Sequence, residues 1–360
     1  MLFLSEEEIT NWSELARQAV AGTLTLARPP AAIRPRLWPH FCLYIGSLLA
    51  KQNRLNEARD WLAGGARNES VSMNRYLLDY IGRHGGLHPC PEPVFADPRP
   101  YLHFTTITPL REARERFIAH AAASLPRFGR PLRLIDMGCG DGGLTRALLE
   151  GLRDYGNAVD IEEIILVDPS ENMLQTAREV LAKAFPETRI ASLNGRSEAL
   201  AAHFPPGLDI ALSSLAWHHM TYDTKRKLAR QVAERVDHVL LFEIEGNHDT
   251  PELNSPELAV SAYQLYGAAV RMVMTQEAPR EIIEACLDHF LMGELLSLLT
   301  EPRGQRSEYH MLRRQWHALL REGLGPKFEC RADFTCWFDD LSELFMLHYG
   351  KRRCDGTQRV

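Results

Sequence analysis

The residues best suited to chemistry lie in Leu134-Ile135-Asp136-Met137-Gly138-Cys139-Gly140-Asp141-Gly142-Gly143, between an apolar run and an amphipathic stretch. Glycines at such a junction let the backbone bend tightly and approach a ligand without a Cβ in the way. Gly138, Gly140 and Gly143 fit G-x-G-x-x-G, a spacing that does not say which ligand is held. Charge separates the choices. A pyrophosphate is drawn to a helix N-terminus, but Asp136 and Asp141 flank these glycines and would repel it by roughly 1 kcal/mol or more each in a partly dry site. The same carboxylates attract a cation. S-adenosylmethionine carries a sulfonium and an ammonium, which those carboxylates would attract, and no phosphate, so Asp136, Gly138, Cys139, Gly140, Asp141 and Gly142 are candidates for binding it. Asp168, closing Leu166-Val167-Asp168-Pro169-Ser170, is placed to accept hydrogen bonds from both ribose hydroxyls. Pro169 and Met173 are expected to shape the adenine pocket, with Asn194, Gly195, Arg196 and Ser197 at the adenine edge.

A methyl sulfonium is already a good electrophile, so the protein has chiefly to align a nucleophile and remove a proton if one is in the way. Two later apolar runs end in groups that can do this. The first supplies Ser213, grouped with the cofactor-binding residues, then Ser214, Trp217 and the doublet His218-His219. Imidazole titrates near neutral pH, so either histidine is a candidate base, and packing or capping is the plain alternative for one of them. The second supplies Glu243, Glu245, Asn247, His248 and Asp249, followed by a helix with Tyr263, Gln264 and Tyr266 near its middle. Glu243, His248 and Gln264 are catalytic candidates; a capping network of Asn247, His248 and Asp249 is the competing reading. His248, Asp249 and Gln264, joined by His219, also offer an open nitrogen and oxygen set for iron or manganese.

The elements that position these groups follow from periodicity. Residues 132–138, 161–169, 189–194, 208–214 and 238–246 read as strands, separated by helical patterns such as 144–153 and the helix capped by Ser170. Strands alternating with helices predict an α/β domain with a mainly parallel sheet. Phe328–Phe334 and Glu343–His348 are expected to add two strands. Residues 5–84 read as helices, one capped by Asn56, and the five prolines in 88–100 mark a boundary. Residues 251–325 read as a helical insertion whose helix starts at Ser255-Pro256 and breaks at 301–307. Glu308, Tyr309, His310, Arg313, Arg314 and Trp316 are expected on one amphipathic surface helix. The expected domains are a helical cap over 1–100 and a sheet domain over 101–360, with 1–100 and 251–325 together forming a lid.

The stretches LIDMGCGDGGLTRALL, ILVDPSENML and LDIALSSLAWHHM resemble three motifs of class I S-adenosylmethionine-dependent methyltransferases, in the right order and spacing between Leu132 and Gly246. The resemblance implies a Rossmann-like seven-stranded sheet, one strand antiparallel, with helices on both faces. It implies that Asp136 and the Gly138–Gly142 loop hold the methionine end of S-adenosylmethionine and that Asp168 holds its ribose. The segment after the fifth strand is loosely similar to metal-dependent methyltransferase domains of polyketide loading modules, which act on carrier-bound groups.

Composition sets the outer limits. The 360 residues are 45% hydrophobic and 24% charged, globular and not disordered values, and suffice for one large domain plus a smaller one. The net charge is −6 with no basic stripe, so no nucleic acid partner is expected. The opening MLFLSEEEIT is no signal peptide and no run reaches the roughly 18 apolar residues of a membrane span. Seven cysteines without paired close spacing fit reduced thiols in a cytoplasmic protein. The expected activity is methyl transfer to oxygen, nitrogen or activated carbon of a small or carrier-protein-bound metabolite, in specialised metabolism. The rivals are ring closure of the cofactor's own aminobutyryl chain with release of methylthioadenosine, a non-catalytic binding module, and an NAD-dependent oxidoreductase disfavoured by charge.

Overall fold

The computed structural model describes residues 2–24, 30–67, 71–89, 98–158 and 160–352. The proline-rich boundary at 88–100 lies largely outside them, as do Cys90 and Cys354; the other five cysteines are free thiols. The chain divides into two compact units, one made of Met1–Pro109, Glu245–Met311 and Phe338–Glu343, the other of Leu110–Ile244, Leu312–Trp337 and the residues from Leu344.

The second unit holds the sheet. Its strands are β1 Leu132–Met137, β2 Ile161–Asp168, β3 Arg189–Asn194, β4 Leu208–Ser214, β5 Val236–Ile244, β6 Phe328–Phe338 and β7 Glu343–Lys351, in the order β3-β2-β1-β4-β5-β7-β6. β1 pairs in parallel with β2 and β4, β2 with β3, and β4 with β5, while β7 runs antiparallel to β5. This is a Rossmann-like sheet. β1, β2 and β4 are buried almost throughout because helices cover both faces, and such strands read as apolar runs without alternation. The strand order reverses between β1 and β4, and a doubly wound sheet leaves its crevice at the carboxyl ends of the strands at that point. That crevice receives the residues following Met137, Asp168 and Ser214.

Helices of the two units can be named in chain order. The first unit has α1 Glu6–Val20, α2 Trp38–Lys51, α3 Leu55–Gly65, α4 Met73–His84 and α5 Arg99–Thr106. The sheet is flanked by α6 Thr108–Ser124, α7 Gly143–Asp154, α8 Glu171–Ala184, α9 Ser197–Leu200 and α10 Tyr222–Ala233. The chain then returns to the first unit with α11 Pro256–Thr275, α12 Arg280–Ala285 and α13 Met292–Thr300, and to the sheet with α14 Arg313–Leu324. Ser170 and Ser255 cap α8 and α11 by accepting from Met173 and Leu258 N–H, as the sequence predicts. Asn56 does not cap α3: it lies inside the helix, whose N-cap is Arg54 with no side-chain bond.

Two departures from the sequence reading have clear causes. α14 belongs with the sheet and not with the preceding helices, because its Trp316 receives the buried Lys225 ammonium at 4.8 Å and Glu322 bonds Arg226 at 2.7 Å, both partners on α10. Glu308, Tyr309 and His310 are on no surface helix: they lie before α14 and are buried. Backbone links hold them there, from Gly246 N–H to Met311 O and from His248 N–H to His310 O at 2.9 Å. Gly246 is required at this crossing, since a Cβ would stand 2.6 Å from that of His310. In α11 every residue from Leu258 to Val270 is buried, the pattern of a helix enclosed on all sides. No helix among the described residues is long and apolar enough to cross a membrane.

Candidate active site

The glycine loop is shaped by three positive-φ glycines, Gly138 at 84°, Gly140 at 51° and Gly142 at 72°, a region closed to most side chains. A Cβ on Gly138 would meet the Ala216 methyl at 2.4 Å, so the loop after β1 and the turn after β4 touch through the missing side chain. Gly142 is the N-cap of α7, and Asp141 turns back on it, accepting from Gly143 N–H at 3.1 Å.

Asp168 ties this loop to β2. Its two oxygens accept from Gly140 N–H at 3.1 Å and Ser170 N–H at 2.8 Å. Burial raises its carboxyl above the ordinary value, against the pull of those two bonds and of His219. Asp136 is the more unusual acid. It is fully buried at the end of β1, one oxygen takes the Thr145 hydroxyl, and the other has no partner. Burial pushes its carboxyl up to about 7; Thr145 works against the rise and the negative fields of Asp168 and Asp141 add to it. The Ser213 hydroxyl, buried near the end of β4, is likewise unpartnered. An orphaned carboxylate oxygen, a second acid beside it and a side-chain-free bend form a cradle for a cation, and these residues fit S-adenosylmethionine.

That geometry has a consequence in titration. With a folded value near 7 against an ordinary 3.8, Asp136 in the ligand-free protein gives stability that is complete below about 4 and lost as pH climbs through 7. A bound cation reverses the preference and expels the proton. Calorimetry in buffers of different ionisation enthalpy should show proton release near pH 7, with affinity rising up to about tenfold per pH unit below 7 and levelling above it. The Asp136→Asn protein should lose that slope; a slope that persists there rejects the assignment.

The other expected cofactor residues lie along the same strand ends. Met173 is buried in the first turn of α8, Pro169 is exposed, and Cys139 is a buried thiol pushed well above its ordinary value by burial. Arg196 is exposed and bonds Glu198 at 2.8 Å and the His219 carbonyl at 3.4 Å, with Ser197 opening α9 behind it. Asn194 is turned toward Glu171, its amide donating at 2.9 Å.

After β4 the backbone passes through Leu215 at φ 50°, a conformation that costs a branched residue energy and persists only where the surroundings impose it. The strained turn delivers Trp217 and His218 to β5. His218 Nδ1 lies 2.7 Å from one Glu243 oxygen, and the other oxygen accepts from Trp217 N–H at 3.1 Å. Both residues are buried. The carboxylate thus sets the ring's orientation and, in the neutral ring, draws the proton to Nδ1. The His219 ring lies tilted against His218 with centroids 4.3 Å apart, and its charge acts on Asp168. The doublet therefore divides into a ring held by Glu243 and a ring whose charge reaches Asp168.

The first unit contains the remaining candidates. His248 is fully buried, its ring parallel to Tyr266 at 6.0 Å and edge-on to His310 at 5.2 Å, and neither ring nitrogen has a partner. Burial holds it well below its usual value, so it is neutral. The capping role belongs to Asn247 instead, whose N–H donates to Ser261 and whose side chain accepts from Thr250. Asp249 is buried with its N–H directed at the His310 carbonyl at 3.2 Å. Gln264 departs from both roles expected of it. Its amide oxygen accepts from Leu2 N–H at 2.6 Å and its nitrogen donates to the Leu2 and Val260 carbonyls. With that oxygen committed to backbone, His248, Asp249 and Gln264 do not fit a metal as a ligand trio, and no step is derived through one.

Sequence reasoning overlooked Thr145, Leu215 and Ala216, which work by position alone. It also misplaced Glu308, Tyr309 and His310, whose density of polar residues resembles an exposed helix until the segment is seen outside any helix and buried.

The sheet order is that of a Rossmann-like domain, and the glycine bend with its acids fits S-adenosylmethionine. Residues 134–238 match the family model described as a methyltransferase domain. Among curated relatives the chain is 27% identical over 171 residues to the O-antigen chain terminator bifunctional methyltransferase/kinase WbdD of Escherichia coli, a match covering 46% of this chain and 20% of that protein. The chain thus spans a fifth of that relative's length. Among solved structures, SCL7 of Oryza sativa aligns with a TM-score of 0.62 at 12% identity, covering 88% of this chain and all of that one, and shows the shared fold. The S-adenosylmethionine-dependent methyltransferase SibL aligns with a TM-score of 0.41 at 14% identity, over 90% of this chain and 77% of its own.

Proposed function

We propose that the enzyme methylates an oxygen, nitrogen or activated carbon of a small or carrier-tethered metabolite, with His218 as the base and Glu243 as the residue that positions it. The observation carrying this reading is the buried 2.7 Å pair of His218 and Glu243 at the ends of β4 and β5, in the same unit as the cofactor cradle. S-adenosylmethionine, when bound, supplies an electrophilic methyl group on sulfur. Asp168 and the glycine loop hold the ribose and methionine ends, and Asp136 and Asp141 complement their positive charge. His218 accepts the acceptor's proton at Nε2, while Glu243 stabilises the imidazolium through Nδ1–H. A buried general base of this kind contributes roughly 10²–10⁴ in rate. The helices of the first unit lie outside the matched methyltransferase segment, and we assign them the choice of acceptor.

The test is mass spectrometry of the full chain incubated with methyl-labelled S-adenosylmethionine and a small-metabolite extract. The expected result is S-adenosylhomocysteine in equal amount to a labelled product. Release of methylthioadenosine instead would assign ring closure, and neither product from a cofactor-binding protein would reject catalysis altogether.

A further inference from the structure

The middle of α11 carries a feature that the transfer chemistry does not use. Gln264 is fully buried among apolar neighbours, and the backbone of an extended segment near the start of the chain satisfies it. Leu2 N–H donates to its Oε1 at 2.6 Å, and its Nε2 donates to the Leu2 carbonyl at 3.0 Å. One side-chain amide therefore reads the donor and acceptor of a single extended residue, the exchange made by a hydrogen-bonded pair in a β-ladder. The segment is lightly held otherwise. Leu2 and Leu4 are half-buried, the Phe3 side chain is 49% exposed, and Arg34 holds the Phe3 carbonyl at 2.7 Å.

One residue before Gln264, the Tyr263 ring lies tilted against His40 of α2, with ring centroids 4.1 Å apart. His40 is 3% exposed, and neither of its ring nitrogens has a hydrogen-bond partner. Native interiors rarely leave such groups unmatched, and an unmatched one calls for an explanation. Two unused nitrogens, on a ring that meets the residue preceding Gln264, are hydrogen-bonding capacity that the chain's own segment does not consume.

We propose that Gln264 and His40 form a binding site for an extended secondary-amide chain, which residues Leu2–Leu4 occupy in the free protein and vacate for the ligand. Gln264 reads the donor and acceptor of one amide-bearing unit, and His40 makes the bonds that Leu2 leaves unmade. Two sources carry that chemistry, a peptide and the pantetheine-type arm on which acyl groups are tethered. The site goes beyond the transfer reaction and involves none of its groups.

The probes are acetyl-Leu-Phe-amide and pantetheine, titrated calorimetrically into the full chain without S-adenosylmethionine. Leu2→Pro removes the N–H given to Gln264, and Arg34→Ala releases Phe3. Together they should raise the affinity of at least one probe tenfold or more over the parent. Adding Gln264→Leu to that opened protein should abolish the binding. Which probe responds identifies the source. A readout without substitutions comes from hydrogen exchange of the parent, where saturating probe should speed exchange at the Leu2–Leu4 amides as the segment leaves. If neither probe binds the opened protein, or exchange at Leu2–Leu4 is unchanged or slowed by saturating probe, the site is refuted, whatever the outcome of the methyl-transfer assay.

Discussion

Asp168→Ala is expected to weaken S-adenosylhomocysteine binding by at least about 100-fold in calorimetry. Two losses add. The first is the pair of ribose hydroxyl bonds the carboxylate would accept, each a hydrogen bond to a charged group worth roughly 1.5–3 kcal/mol. Two of them at the lower figure are about 3 kcal/mol, more than a hundredfold in affinity. The second is loop order, because the same carboxylate holds Gly140 N–H and Ser170 N–H and so joins the glycine bend to the start of α8. Asp168→Asn separates the two. Its amide oxygen keeps one backbone bond, but its NH2 must face another N–H, so binding should fall nearly as far while the thermal midpoint changes less than in the alanine protein. Binding within threefold of the parent in Asp168→Ala would remove the cofactor site from this crevice.

His218→Ala should lower kcat by 10²–10⁴ on the acceptor found by labelling, with cofactor affinity within a few-fold of the parent. The ring is held by Glu243 and is separate from the Asp168 contacts, which is why binding and turnover should part. Glu243→Gln keeps the shape and loses the charge, so an imidazolium forming on His218 is no longer stabilised; kcat should fall about 10- to 100-fold, the usual cost of losing an orienting partner. A merely structural Glu243 would predict equal losses with and without His218. A positioning role predicts that Glu243→Gln costs little more once His218 is alanine, because the two act as a unit. The pH–rate profile of Glu243→Gln should also move toward higher pH on its acidic limb only if His218 gains proton affinity. The lost anion makes the reverse displacement, toward lower pH, the expected one. Near-parental turnover in His218→Ala would overturn the assignment of the base.

The two substitutions probe parts of the molecule that differed in legibility. The cofactor half could be read because its determinants are local. The glycine bend and the Ser170 cap act within a few residues of themselves, Asp136 and Asp168 close the apolar runs that reveal them, and β3 and β4 have the very ends that their apolar runs suggest. The His218–Glu243 pair could be named only as two candidates, since joining them depends on β4 lying beside β5 and on the strained turn at Leu215. Gln264 shows the reverse error. A polar residue deep in an apolar helix looks like chemistry, yet its partner is Leu2, 262 positions away.

The order of glycines, acids and apolar runs by itself determined the Rossmann-like sheet, the cation-holding bend and the class of cofactor, because backbone conformation and short-range charge follow from adjacent residues. Tertiary structure alone decided that Glu308–His310 is buried and outside any helix, that α14 joins the sheet, that Glu243 orients His218 and that Gln264 clasps Leu2. Those outcomes rest on contacts between distant segments. Their energy comes from burial and from hydrogen bonds completed across the fold, which no window of sequence contains.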